Sequence, residues 1–163
     1  NLNDIRRRTK TYTLFIKEAS ENFTMPEELL RAIIYTESTG NSRAISRKGA
    51  RGLGQIMPVT ARQFGIKKHE LYDPEKNIRI TAATYKTLLR EFQNPMLALI
   101  GYNWGRGNLR DALEDMKARN LPITWSTLLY KADPTNETEI SYLPRETEKF
   151  VPKVLGRFLS LKR

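Results

Sequence analysis

The stretch from Thr36 to Pro58, TESTGNSRAISRKGARGLGQIMP, lies between two segments with helical periodicity, and Glu37 stands at its entrance. Upstream, Thr24 followed three residues later by Glu27 predicts a capping box, with Pro26 tolerated in a first turn whose N–H has no helical partner. Leu29, Leu30, Ile33 and Ile34 recur at three- and four-residue steps along one face, and the next place on that stripe is Glu37. Gly40 predicts the helix stop, as a left-handed cap. An acid therefore occupies a position that the pattern assigns to the core. Low dielectric disfavours a carboxylate, so the pKa of Glu37 is expected to rise toward the range a general acid needs. A solvated acid in a fraying last turn is the competing reading of the same position.

Four glycines follow, Gly40, Gly49, Gly52 and Gly54, interleaved with Asn41, Ser42, Ser46 and Gln55. Such a loop can bring backbone amides and short polar side chains close to a ligand. The order Glu-Ser-x-Gly-Asn, then Ala-x-Ser-x-x-Gly-Ala-x-Gly-Leu-x-Gln-x-Met-Pro-x-Thr-Ala, resembles the signature of the soluble lytic transglycosylases, which cleave bacterial peptidoglycan. Two further blocks come in family order: Tyr102-Asn103-Trp104-Gly105 after an apolar helix, and Glu146-Thr147 with Val151. The resemblance runs from about Met25 to Leu155. It implies an all-α, lysozyme-like fold of the goose type.

The same resemblance implies Glu37 as the catalytic acid, and Ser46, Gln55, Met57, Tyr102, Asn103, Glu146 and Phe150 as substrate-binding positions. Some of these have a reading of their own. Ser46 and Gln55 are polar side chains in a glycine loop beside an acid, suited to hydrogen-bonding that acid or a sugar. Tyr102 carries a hydroxyl that could donate to Glu37, and Asn103 suits an N-acetyl group. Tyr102 and Trp104 suit an aromatic core equally well, as Met57 suits core filling. Three positions depart from the family pattern: Gly54 replaces a Met, Gly101 an Ala, and Phe150 a Tyr. The two glycines are expected to enlarge or loosen the cleft wall. The phenylalanine loses a hydroxyl but keeps a ring that can pack.

The chain has 163 residues, one domain's worth, read as a basic N-terminal segment with a first helix over 1–22 and a catalytic domain over 23–163. With no Cys and one His, a zinc site or a Ser-His triad has almost no material, and His69 reads as a surface loop residue. No metal and no organic cofactor is expected. The formal charge is +10, with Arg6, Arg7, Arg8 and Lys10 at one end and Arg43, Arg47, Lys48 and Arg51 around the glycine loop. A polyanionic partner is therefore expected: nucleic acid, or the acidic peptides and polymers of a bacterial wall. No RNP-like block, zinc knuckle or basic zipper accompanies the charge, so no nucleic acid is expected. The first residue is Asn and no apolar run approaches a signal peptide or membrane span, which reads as a processed or trimmed form. The implied location is periplasmic or at the cell envelope, where such domains serve wall turnover, secretion or phage assembly. A monomer is the default.

Elsewhere the periodicity predicts helices over 11–20, from Pro58 to near Gly65, from an Asp73 cap with Pro74 first, from Pro95 into the Tyr102 block, over 108–119, and from Glu146 to Leu161 with a kink at Pro152. Residues 121–141, with two prolines, read as a flap. Glycosidases ordinarily use two carboxylates. Glu37 is the one strong candidate here, since Asp73 is assigned to a cap and Glu146 to a helix start. The expected chemistry is therefore cleavage of the MurNAc-GlcNAc bond by a single Glu as acid and then base, giving 1,6-anhydro ends. Hydrolysis by the same site, and a non-catalytic basic wall- or nucleic-acid-binding module, are the alternatives.

Overall fold

The structure, a computed structural model, describes residues 2–129, 131–132 and 139–162, with side chains described outside 131–140. The chain divides into two compact units, one formed by residues 1–87 and 153–163 and the other by 88–152.

The first unit opens with helix α1, Leu2–Thr9, a 3-10 turn at Lys10–Tyr12, and α2, Thr13–Phe23. The basic segment is thus helical, beginning well before the helix expected over 11–20. Its local logic is plain. Asp4 pairs with Arg7 at 2.6 Å and Arg8 at 3.0 Å, three and four residues on, while Ile5 and Thr9, one turn apart on the adjoining face, are buried. Both α1 and α2 pack on α3, Glu27–Ser38.

The expected capping box is absent. Helix α2 runs on to Phe23, and Thr24 ends it in the left-handed conformation at φ 50°. The residue preceding α3 is then Pro26, which has no side-chain acceptor, and Glu27 pairs with Arg31 at 3.5 Å. At its far end α3 stops on two left-handed residues, Thr39 and Gly40. Gly40 is required there, because a Cβ would lie 2.7 Å from the carbonyl oxygen of Arg8.

Beyond the glycine loop come α4, Pro58–Gln63, a 3-10 turn at Lys68–Tyr72 carrying the exposed His69, and α5, Pro74–Phe92. Asp73 caps α5 as expected, its Oδ1 accepting from Lys76 N at 3.1 Å. Ile78, Ala82, Tyr85 and Leu88 are buried along it.

In the second unit, Asn94 caps α6, Pro95–Trp104, by accepting from the amides of Met96 and Leu97. The turn at Gly105, φ 99°, leads directly into α7, Arg106–Ala118. Gly101 does not loosen this packing. A Cβ there would meet Leu88 Cδ2 at 3.2 Å and Phe92 and Leu109 at 3.4 Å, so the missing methyl lets the buried Leu88 and Leu109 and the half-buried Phe92 close in. The expected flap contains α8, Trp125–Leu129, and a two-residue antiparallel ladder of β1, Lys131–Ala132, and β2, Glu139–Ile140, with Lys131 opposite Ile140. Its middle, 133–138, lies outside the described residues. Tyr142 ties its end back, donating from its hydroxyl to Asp115 at 2.6 Å and from its amide to Leu128 O at 3.1 Å. The last helix, α9, is Arg145–Leu161, with Pro152 inside it. Apart from the short ladder and the isolated bridges of the glycine loop, the regular structure is helical, as the all-α reading expects. No helix among the described residues is long and apolar enough to cross a membrane.

Candidate active site

Glu37 sits in the last turn of α3, half-buried, following Ile33 and Ile34, which are fully buried. The turn is held by its neighbours. Ser38 Oγ donates to Ile34 O at 3.1 Å and accepts from Gly40 N at 3.2 Å. Arg157 donates to Thr36 Oγ1 at 2.7 Å, and its guanidinium lies 4.8 Å above the ring of Tyr35. Tyr35 in turn donates to Asp4 Oδ2 at 2.5 Å. That bond, with help from Arg7, holds the Asp4 carboxyl far below the usual carboxylate range, and it raises the pKa of the Tyr35 phenol. The two residues before Glu37 in the helix are therefore tethered to α1 and α9, which helps fix the rotation of the turn.

The glycine loop folds as a hairpin in which Arg51 bridges to Ile45 on one side and Ile56 on the other. Its glycine amides do not form an open cradle. Gly40 N donates to Ser38, Gly49 N to Ser46 O at 2.9 Å, Gly52 N to Ala44 O at 2.9 Å, and Gly54 N to Asn77 Oδ1 at 2.8 Å. Each of these four amides is engaged within the protein, and the glycines permit tight turns and close approach.

Ser46 Oγ accepts from Ala50 N at 3.0 Å and closes the first turn of the loop, around Gly49. Gln55 adopts a left-handed backbone at φ 51°, and its side-chain amide donates to Gly52 O at 2.9 Å and Ala44 O at 3.3 Å. Both side chains thus hold the loop. Met57 is 37% exposed, and Ile45, Val59 and Phe64 are more so. Of the basic residues in this stretch, Arg51 is structural, donating to the Tyr72 hydroxyl with its guanidinium 5.5 Å over that ring. Arg43, Arg47 and Lys48 are exposed.

Asn77, on α5, escapes sequence reading. Its side chain is fully buried and grips the loop from below, yet one asparagine beside an apolar stripe carries no local signal of partners more than twenty positions away.

In the second unit the expected residues form another cluster. Tyr102, half-buried at the end of α6, stacks parallel to Phe150, with ring centroids 6.4 Å apart and planes 4° from parallel. Asn103 Oδ1 accepts from the buried Thr147 hydroxyl at 2.8 Å. These contacts tie the Tyr-Asn-Trp block to the first turns of α9, and they give Phe150 a packing role without a hydroxyl. Glu146 lies exposed in the first turn of α9.

Residues 14–121 match the family model described as the transglycosylase SLT domain, about two thirds of the chain. The chain belongs to that family. Among curated relatives, the chain is 27% identical over 160 residues to the membrane-bound lytic murein transglycosylase D of Escherichia coli, an alignment covering 95% of this chain and 32% of the relative. A transglycosylase of Enterobacteria phage PRD1 is 37% identical over 90 residues, covering 55% of this chain and 33% of the relative. Among solved structures, the complex of a 70 kDa soluble lytic transglycosylase with bulgecin A superposes with a TM-score of 0.74 at 27% identity, over 97% of this chain and 25% of that one. An inactive mutant of the lytic transglycosylase Slt from Pseudomonas aeruginosa gives 0.71 at 28% identity, over 91% and 23%. The chain therefore spans about a third of these curated relatives and a quarter of these solved chains.

Proposed function

We propose that this SLT domain is a peptidoglycan lytic transglycosylase that cleaves the MurNAc-GlcNAc β-1,4 bond, with Glu37 as general acid and then general base. The observation that carries the reading is the setting of Glu37. It is a half-buried acid that continues an apolar stripe at the C-terminal end of a helix, where the helix carbonyls carry partial negative charge. An acid placed this way is suited to pass its proton to the glycosidic oxygen. The other acids of the matched blocks are placed differently, Asp73 as a helix cap and Glu146 at an exposed helix start. With no second carboxylate assigned as nucleophile, the substrate's own N-acetyl carbonyl attacks the anomeric carbon as the glycosidic bond breaks. The ionised Glu37 next takes the proton of the 6-hydroxyl of the same sugar, and that oxygen closes onto the anomeric carbon as a 1,6-anhydro ring while the bond to the acetamido oxygen breaks and restores the N-acetyl group. A tethered hydroxyl outcompetes water through proximity.

Ser46, Gln55, Met57, Tyr102, Asn103, Glu146 and Phe150 remain our assignment for substrate contact or for holding the groups that make it. Thr147 engages the Asn103 carbonyl, which leaves the NH₂ as the end suited to an N-acetyl oxygen. Names of the relatives support murein as the substrate, and the place of action follows from where murein lies, outside the cytoplasmic membrane.

Digestion of purified wall in ¹⁸O-water tests the chemistry. The expected fragments end in 1,6-anhydromuramoyl groups without label. Labelled reducing ends as the main product would make the domain a hydrolytic muramidase, and absence of any cleavage would leave it a wall-binding module.

A further inference from the structure

Asn77 uses its whole side-chain amide on the glycine hairpin and the segment leading into α5. Oδ1 accepts from Gly54 N at 2.8 Å, and Nδ2 donates to Arg51 O at 3.0 Å and Leu71 O at 2.8 Å. The fit leaves no slack. A Cβ on Gly52 would stand 2.2 Å from Leu71 O and 2.3 Å from Asn77 Nδ2, so the hairpin tip rests directly on this amide. The tip residues Gly52, Leu53 and Gly54 are buried, while the flanks that carry Ser46 and Met57 reach the surface. Gln55 follows at once in a left-handed conformation that a non-glycine residue adopts only when its surroundings impose it.

We propose that Asn77 is the positioning residue of the glycine loop: by bracketing residues 51 and 54 from within the core, it sets where Ser46, Gln55 and Met57 present themselves to a glycan. Asparagine is suited to this place because two donors and one acceptor are needed in one plane. Aspartate has the same shape but no donors when ionised, and it would set a carboxylate against two carbonyl oxygens. The inference rests on the proposed glycan-cleaving reading, and it concerns binding geometry rather than proton transfer.

The test measures binding of a short muropeptide-free glycan to the Glu37→Gln protein, which should hold the sugar without cleaving it, and to the same protein carrying Asn77→Asp or Asn77→Ser. Ile80→Val on the same helix serves as a control for lost stability alone. Loss of affinity by about 10- to 100-fold is expected for Asn77→Asp, and a smaller loss for Asn77→Ser, which keeps one donor and one acceptor. Ile80→Val should bind as its parent does. Unchanged affinity in either folded Asn77 variant would overturn the proposal. If the Glu37→Gln parent itself fails to bind glycan, the functional reading has failed and the loop assignment falls with it. Should both Asn77 variants fail to fold, amide exchange in the unmodified protein decides: Gly54 N–H is expected to be protected as strongly as the amides of α5, and rapid exchange there would show that the clasp does not hold.

Discussion

Glu37 concentrates the chemical proposal in one side chain, which makes it the sharpest test at the scale of a residue. Glu37→Gln keeps nearly the same shape and removes the proton, so turnover on sacculi should fall by about 10²- to 10⁴-fold while the thermal midpoint and glycan binding stay near those of the parent. Lysis within tenfold of the parent, followed by turbidity, would remove Glu37 from the mechanism. The glycines offer a second test, because the loop uses them for different reasons. Gly49 has φ +88° and open space around a would-be Cβ, whereas Gly52 has φ +75° and a carbonyl oxygen 2.2 Å away. Gly49→Ala should therefore cost about 1 to 2 kcal/mol, the strain of a left-handed alanine. Gly52→Ala should cost about 3 kcal/mol or more, since backbone or helix must also move. Chemical denaturation of the pair reads the difference, and equal costs would mean that the hairpin is not seated on α5.

Helix α1 shows what a single element adds and why it was hard to see. One of its attachments to α3 is ionic: Asp4 accepts from Tyr35 and is held in place by Arg7 and Arg8 of its own helix, beside the bonds from Arg31 to Thr9. The folded state depresses the Asp4 pKa below its ordinary 3.8. The attachment is therefore fully present above that value and is lost as pH falls below it. Asp4→Asn is expected to lower the melting temperature near about pH 6, and the gap from the parent should narrow steadily as pH falls below the ordinary 3.8 of the carboxyl. A gap that persisted unchanged on acidification would argue against an ionic attachment. The sequence reading recovered elements whose signals are local: the stripe of Leu29, Leu30, Ile33 and Ile34, the Asp73-Pro74 start of α5, and the Pro95 start of α6. It missed α1, because three consecutive arginines look like a solvated tail unless Ile5 and Thr9 are seen to pack. It misplaced a cap at Thr24, where the pattern was satisfied but α2 extended far enough to claim that residue as its own end. In the site, the blocks around Glu37 and Tyr102 were legible as motifs. The clasp of Asn77 was not, since its partners at 51, 54 and 71 come near it only through folding.

Charge is a property of the whole molecule, and its placement separates attraction from chemistry. Some basic side chains are balanced in local pairs, such as Arg7 and Arg8 with Asp4 and Arg106 and Arg110 with Glu91, and the formal net +10 is what remains after every acid is counted. Arg43, Arg47 and Lys48 on the glycine loop and Lys10 near the N-terminus are exposed. Exposed charges act through solvent over about a Debye length, ~8 to 10 Å at physiological salt, so they gather a polyanion to the surface but have little part in a bond-breaking step. Raising salt should accordingly weaken binding to whole, acidic wall much more than it slows cleavage of a short neutral glycan, measured by pelleting in the first case and by fragment release in the second. Replacing Arg43, Arg47 and Lys48 together by Gln should reproduce the effect of salt on wall binding and leave the rate on the short glycan within about twofold, as surface substitutions away from buried features usually do. If salt slowed both substrates equally, the basic surface would have to be part of the catalytic step. If the triple variant instead lost cleavage of the neutral glycan, one of those three side chains would be touching sugar.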